Sequence, residues 1–572
     1  MEKRVLLAVV LSFIVLYGYQ ALFPPPRPTP QVQRAPQSGS PPPAVAPGGT
    51  APAPVEAAAP AVQATPLVTD SSEREIVVES DAVRATFSSR GAVLTSWRLK
   101  RYLGPDSLPL DLVPHHVPGS PRPFTLVTDD ESLSATIRSA LYKPSAESLN
   151  VGAAPVNLAF DYQDAGGVAV RKEFTFDPQH PYLIGFTATV MRGETTVIPV
   201  VQWGPALGTG IVGGGMNYAP APQPVFYRDQ KVVRVSIDKV PEQRVQEGSL
   251  GFAGVDDHYF LSAALPARQP LHVEYDPVLV PVEGADHGLQ FVSWAVKYPT
   301  APVNERFFAG PKDFDVLASV NRDLVRAIDF GMFSWLVVPL LRALKWINGY
   351  VGNYGWSLIL LTVLINLAMF PLRHKSVVSM RKMQELQPEV KAIQERYAKL
   401  KMSDPARQKM NVELMNLYRE RGANPASGCV PMLLTMPVLF AFYAMLSVAI
   451  ELRGAPFVGW IKDLSVYDPL FVTPVLMGIT MVVQMRMTPS TADPVQQKMM
   501  MFMPIVFTTM FIWAPSGLVL YWTVSNLWAI GQQALTNKLI GPSTTHAVRP
   551  PAERRLKNAG AGKSEQASKE RK

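Results

Sequence analysis

The sequence predicts a polytopic α-helical membrane protein of six spans, with a large antiparallel β-sandwich domain on the outer side and a helical hairpin in the cytoplasm. Three observations carry this. Six runs are apolar over lengths that suit a bilayer better than a soluble core. The stretch between the first two alternates with a period of two. Positive charge is also uneven. Of a formal +8, residues 27–345 hold 27 Lys/Arg against 32 Asp/Glu, residues 373–424 hold 12 against 6, and residues 538–572 hold 9 against 3. A basic excess between and after apolar runs marks segments that stay inside.

In chain order, residues 1–23 read as an uncleaved anchor. Lys3 and Arg4 flank an apolar run from Val5 to Phe23, Pro24 to Pro26 stop it, and no small-x-small cleavage site follows. Residues 24–69 form a Pro/Ala-rich tether that cannot bury a core. Residues 70–332 form the sandwich. In "VAVRKEFTF", Val168, Val170, Phe174 and Phe176 fall on one face, and Arg171, Glu173 and Thr175 on the other. Residues 333–355 are apolar but carry Arg342, Lys345 and two tryptophans, with Pro339 as an interruption, which suits an amphipathic helix in the membrane interface.

Residues 356–537 hold the other five runs: Trp356–Leu372, Val430–Leu452, Pro469–Met485, Met499–Ala514 and Gly517–Asn537. A run of ~17 residues reaches only ~25 Å, against a hydrocarbon core of ~30 Å, so either polar ends fray these spans or the bilayer thins. Six spans starting inside place the sandwich outside, and residues 373–424 and the basic tail, 538–572, inside. Span count and charge bias agree independently. Within 373–424, Met383, Leu386, Val390, Ile393, Tyr397 and Leu400 follow a heptad seam. Asp404 and Pro405 restart a second helix, Met410, Leu414 and Leu417 continue the seam, and "GANP" at Gly422–Pro425 closes the hairpin.

Thr362, Asn366 and Arg373 share one helical stripe. Their polar groups cannot face lipid. An interhelical hydrogen bond of ~0.6 kcal/mol would satisfy the amide, and so would a wet cavity. The last span adds Tyr521, Ser525, Trp528 and Gln532 at spacings of 4, 3 and 4, and Thr435 and Trp513 belong to the same inventory. Uncharged polar stripes on several spans favour a hydrophilic groove and count against an ion-driven transporter, which needs ionisable groups at depth. The single cysteine, Cys429, excludes a disulfide framework. "AGAGKS", Ala559–Ser564, has Lys557 where a phosphate loop needs glycine, so no nucleotide engine is read. The methionines Met481, Met485, Met487, Met499, Met500, Met501 and Met503 read as core filler. Asp256, Asp257 and His258 read as solvated loop surface in preference to a metal or acid–base site.

The segments "NPASGCVPMLLTMPVLFAFYAML", "LSVYDPLFVTPVLMG", "DPVQQKMMMFMPIVF" and "WAPSGLVLYWTVSN" closely resemble the YidC/Oxa membrane-protein insertases, over roughly Phe333–Asn537. The anchor and large domain resemble the YidC branch of double-membraned bacteria. The resemblance implies a multi-pass protein of the bacterial inner membrane with both termini cytoplasmic, a periplasmic sandwich, and five spans forming an insertase core. It implies a groove open to lipid and cytoplasm and closed toward the periplasm that inserts and helps fold nascent membrane proteins, alone or with the Sec translocon, without cofactor or nucleotide. Carried over by motif, the groove residues are Thr362, Asn366, Thr435, Trp513, Tyr521, Trp522 and Ser525. The hairpin and tail would meet the ribosome or targeting machinery. The family usually has arginine at the position of Asn366 and often glutamine at that of Thr435. Here Asn366 is expected to keep the groove wet, and Arg373 to supply charge at its mouth.

Two other classes remain: a solute transporter or channel, and a sugar-binding or enzymatic periplasmic domain on a membrane anchor. Deleting Asp70–Asp315 separates the last from an insertase. An enzyme loses all activity, whereas insertion of a reporter membrane protein survives substantially.

Overall fold

The structure is a computed structural model. It describes residues 65–104, 107–114, 117, 119–207, 221–267, 269–280, 289–397, 406–422, 430–488 and 494–540. The expected anchor, the phosphate-loop look-alike, Asp404, Pro405, and most of the tether and basic tail lie outside them. The chain divides into two compact units, one ending at Asp329 and the other beginning at Phe330.

The first unit is built on an 11-stranded sheet. It runs from Pro66–Val68 through Val156–Asp164, Val168–Phe176, Leu183–Arg192, Val303–Pro311, Phe260–Leu265, Phe252–Asp256 and Gln223–Arg228 to Lys231–Arg234. Two five-stranded sheets cover one face. One contains Val83–Ser88 and Val93–Leu103; the other contains Leu271–Val280 and Leu289–Lys297. Pairing is antiparallel apart from Glu75–Glu79 beside Ser148–Asn150. Aromatic residues fill the seam between the layers. Phe87 of one small sheet lies 4.6 Å from Phe174 of the large one, and Trp203 of the other small sheet stacks 5.8 Å from Phe307. Two short helices, α1 (Glu131–Ser139) and α2 (Phe314–Val320), begin at Asp130 and Asp313, whose carboxylates accept the first free N–H groups.

Strand Val168–Phe176 shows what alternation dictates. Val168, Val170, Phe174 and Phe176 are buried, as their period requires, and so is the residue between them in register, Lys172. Its ammonium donates to the carbonyls of Gly91 at 2.7 Å, Phe124 at 2.8 Å and Ala92 at 3.2 Å. Gly91, Ala92 and Phe124 all take positive φ, at 71°, 48° and 67°. Their turns thus aim carbonyls into the core, where the lysine satisfies them. Burial pushes the Lys172 pKa down from 10.5 to about 7, and hydrogen bonds to the charged form oppose that shift.

The Asp256 reading needs correction. Asp256 is fully buried, accepts Arg234 at 2.9 Å and Lys312 at 3.1 Å, and is no loop-surface carboxylate. The Arg234 guanidinium also holds the carbonyl of Ala327. Asp257 is buried as well and caps its own turn by accepting the N–H groups of Tyr259 and Phe260. The cluster is structural, because both oxygens of Asp256 accept from Arg234 and Asp257 is committed to its own turn.

The second unit is helical: α3 (Ser334–Val351), α4 (Tyr354–Glu385), α5 (Gln387–Tyr397), α6 (Ala406–Glu420), α7 (Val430–Val448), α8 (Val472–Met487), α9 (Pro494–Met510) and α10 (Ser516–Ile540). α3 continues through Pro339 and stops at Gly352, which supplies a left-handed C-cap at φ 69°. It buries Val337, Leu340, Leu341, Leu344 and Ile347 and leaves Trp335, Trp346 and Tyr350 exposed. Among the described residues only α4 is both long and apolar enough to cross a membrane alone. It has 32 residues and continues well past Leu372 to Glu385, so Met383 belongs to it and not to the hairpin seam. α5 and α6 lie side by side, tied by Arg396–Glu413 at 2.6 Å and Arg421–Glu389 at 2.9 Å. α10 is central, packed on both α4 and α8; α9 leans on α8, and α3 on α4 and α7.

Replacing Lys172 by Met leaves three buried carbonyls unpaired and lowers stability by ~1–3 kcal/mol near pH 6, where the ammonium carries all three donors, measured by denaturant unfolding. The pH dependence has a definite sign. The folded pKa lies below the unfolded one, so between about 7 and 10.5 the unfolded chain holds more protons and stability rises with pH. The Lys172→Met variant lacks that rise.

Candidate functional site

A cavity of about 360 Å³ opens among α4, α7, α8 and α10. α4 contributes Thr362, Asn366, Met369, Arg373 and Ser376; α7 contributes Val438, Leu439 and Phe442; α8 contributes Gln484 and Thr488. The remaining wall is α10, with Tyr521, Trp522, Ser525, Asn526, Gln532 and Gln533. One side is therefore aliphatic and aromatic and the other carries amides and hydroxyls. Helical spacing explains this: Thr362, Asn366, Arg373 and Ser376 recur on one face of α4, and Tyr521, Ser525 and Gln532 on one face of α10.

The polar groups are tied together along α4. The Thr362 hydroxyl donates to the Leu358 carbonyl at 2.7 Å, and the Asn366 amide nitrogen donates to the Thr362 carbonyl at 2.8 Å. The amide oxygen of Asn366 accepts the Arg373 guanidinium at 2.9 Å. This changes the reading of both residues. Arg373 does not stay at the mouth. Its side chain folds back almost two turns along α4, following the N-terminal tilt of helical side chains, and brings its charge into the cavity. Asn366 is its anchor, with both ends of its amide engaged by protein. No carboxylate pairs with Arg373 among the described residues.

α10 is secured to its neighbours by polar contacts along its length. Asn526 donates to the Thr480 hydroxyl of α8 at 3.2 Å, Gln532 donates to the Phe370 carbonyl of α4 at 3.3 Å, and Thr536 meets His374 at 3.2 Å. Tyr521 stacks on Phe442 at 4.4 Å, and Trp522 lies 5.1 Å from Phe511 of the segment after α9. The oxygen of Gln532 is buried without a protein partner, as expected where water completes the shell.

Thr362, Asn366, Arg373, Tyr521, Trp522 and Ser525 line this one cavity. Trp513 does not join them. It sits edge-on to Tyr467 at 5.3 Å and Phe471 at 5.7 Å, at the opposite end of the bundle, because the chain bends at Ala514 and Pro515 before α10 begins. The side chain of Thr435 lies outside the described residues. Ser376, Gln484, Thr488, Asn526 and Gln533 are lining residues that the sequence reading missed. Gln484 had a visible signal as a lone amide in the apolar run of α8. Asn526 lies one residue off the stripe and had none. The filler reading of the methionines also fails for Met499, Met500, Met501 and Met503, which are exposed on α9.

Two family models match the chain: "60Kd inner membrane protein" over residues 346–543 and "YidC periplasmic domain" over residues 75–343. The membrane protein insertase YidC of Geobacter metallireducens is 38% identical, the match covering 94% of this chain and 99% of that one. That of Geotalea uraniireducens is 36% identical over the same shares. A crystal structure of an active YidC insertase is similar at 18% identity and a TM-score of 0.33, over 83% of this chain and 94% of that chain.

The α8–α9 contact that frames the site has a sharp requirement. A Cβ on Gly478 would lie 2.2 Å from the Thr508 hydroxyl. Gly478→Val lowers thermal stability in detergent by ~1–3 kcal/mol through overpacking, and adding Thr508→Ala recovers part of the loss.

Proposed function

Because this chain belongs to the YidC family, an inner-membrane family with a periplasmic domain rich in antiparallel sheet, we propose that it is a membrane protein insertase. Its client path is the cavity that holds Arg373. The six-span arrangement, with hairpin and both termini in the cytoplasm, follows from span count and the positive-inside bias. The reading is carried by one observation: Arg373 donates to Asn366 inside the cavity.

Insertion by this route needs no nucleotide. Burying a client's ~20 apolar residues releases more free energy than moving a short polar tail costs, so the insertase only lowers the barrier. Polar groups on α4, α8 and α10 hydrate the tail part-way across. The apolar wall of α7 faces the client's hydrophobic segment. The guanidinium attracts acidic groups in the tail and, lacking a carboxylate partner of its own, has donors to offer them. From Met499 to Met510 α9 is apolar and largely exposed, which suits lipid or a client helix. The partners are nascent membrane proteins and the bilayer, with the Sec translocon as a collaborator. Ribosome or targeting machinery meets α5, α6 and the basic tail.

The test is insertion of two reporter clients, one with an acidic and one with a neutral translocated tail. Arg373→Gln and Asn366→Leu slow the acidic client about tenfold, the effect of one lost charge-assisted contact, and slow the neutral client far less. The exchange Asn366→Arg with Arg373→Asn keeps one cation in the cavity and restores the acidic client. If Arg373→Gln inserts both clients at the native rate, the cavity is not the path.

A further inference from the structure

Large apolar side chains are exposed at few places on the β-rich unit. Among its described residues they are Leu67, Leu103, Leu108, Val245 and Leu279, and three of these five stand at one end. Strand Val93–Leu103 leads there. Its Trp97 indole donates to the Ala309 carbonyl at 2.8 Å, and five residues on Tyr102 meets Phe260 edge-on at 5.6 Å. Phe260 pairs with Pro311, the last residue of its strand. Leu103 and Leu108 thus lie where the large sheet ends, 54% and 61% exposed. They flank a turn closed by the Gly104 N–H on the Leu108 carbonyl at 2.8 Å, and Pro109 beside them is also exposed.

Leu279 reaches the same end from the other small sheet. Strand Leu271–Val280 begins beside Gly248, and by Tyr275 it has come to Val225, whose carbonyl accepts the Tyr275 hydroxyl at 3.4 Å. Val225 is two residues from Gln223, the partner of Asp256. Four more residues carry the strand ~13 Å onward. There it has passed its ladder with Val245–Gly248, and Leu279 is 66% exposed.

The chain leaves the unit at this end. Lys312 follows Pro311 and donates to Asp256 at 3.1 Å, and Arg234 joins Asp256 to the Ala327 carbonyl. From Ala327 the chain reaches Ser334, the first residue of α3, in seven residues, at most ~25 Å. α3 exposes Trp335, Trp346 and Tyr350, residue types that favour the headgroup level of a bilayer. Leu67 stands at the opposite end, where Val68 pairs with Gln163, a strand length of ~30 Å away.

We propose that the Leu103, Leu108 and Leu279 end is a foot that rests on the outer leaflet of the inner membrane, its leucines entering the boundary between headgroups and acyl chains. The proposal rests on α3 lying in the membrane interface and is independent of the client path. A lipid surface is the occupant that fits. The core of a protein interface is one continuous patch enriched in aromatic residues and arginine, whereas here leucines stand singly on two separate sheets. A bilayer accepts such points one by one, because it needs no shape match. Attachment through a short link keeps the surface at high local concentration, so three partly exposed leucines suffice to hold the unit down.

The full chain in phospholipid vesicles tests this. Cys429→Ser removes the one cysteine, and a nitroxide label is then attached at a single new one. Its collisions with oxygen, which concentrates in lipid, are compared with those of a nickel chelate confined to water. Labels at Leu108→Cys and Leu279→Cys give oxygen-to-nickel ratios severalfold above that at Leu67→Cys. Adding Leu103→Ser and Leu108→Ser to Leu279→Cys lowers the docked population about tenfold, the partition lost with the exposed halves of two leucines. The two label positions lie on different sheets, so misfolding of one variant leaves the other to decide. Tyr350→Cys on α3 reads the premise. Water-like ratios at Leu108 and Leu279 beside a lipid-like ratio at Tyr350 overturn the foot alone, and water-like ratios at all three overturn the placement of α3 with it. Labels shielded from both reagents reveal a protein contact and overturn the foot as well.

Discussion

A guanidinium cannot sit in hydrocarbon without donors satisfied and water nearby, and most of the helical unit is arranged around meeting that condition for Arg373. Asn366 gives it an acceptor inside the bundle. Thr362 fixes Asn366 through its own carbonyl. Across the cavity, Ser525, Gln532 and Gln533 on α10 and Gln484 on α8 present further polar atoms. Each of these residues alone would be a costly intrusion into an apolar helix. Together they make a local solvent, and the charge becomes tolerable inside the bundle.

The same economy appears in the β-rich unit with the opposite outcome. Lys172 is also a cation in an apolar setting, yet its three donors are consumed by carbonyls of turns in left-handed conformation. Asp256 is likewise saturated by Arg234 and Lys312. Saturated charges lock sheets and turns together and have nothing left for a ligand. Arg373 differs because, among the described residues, only one of its donors is engaged by the protein. Availability of donors, more than burial, separates the saturated cations of this chain from Arg373.

Close packing fixes where such a site can form. Gly478 lets α8 approach α9, Tyr521 stacks on Phe442 of α7, and Asn526 reaches Thr480 of α8. These contacts hold α10 in the middle of the bundle. The polar residues of four helices then converge on one space, while the exposed apolar faces of α3, α8 and α9 are left for lipid.

The amino-acid order by itself determined the elements and their character. Apolar runs, a period-two region and an uneven charge distribution each follow from local composition, because helix and strand periods are written in neighbouring residues. The stripe Thr362, Asn366, Arg373 was legible for the same reason, as was the stripe on α10. The tertiary structure decided how those stripes meet. It turned Arg373 inward, placed Trp513 in an aromatic cluster at the far end, brought in Gln484 and Asn526, and buried Asp256 as an ion pair. A side chain's direction depends on which neighbour offers a partner, and composition does not say whether that is Asn366 on the same helix, as for Arg373, or Tyr467 and Phe471 on another segment, as for Trp513.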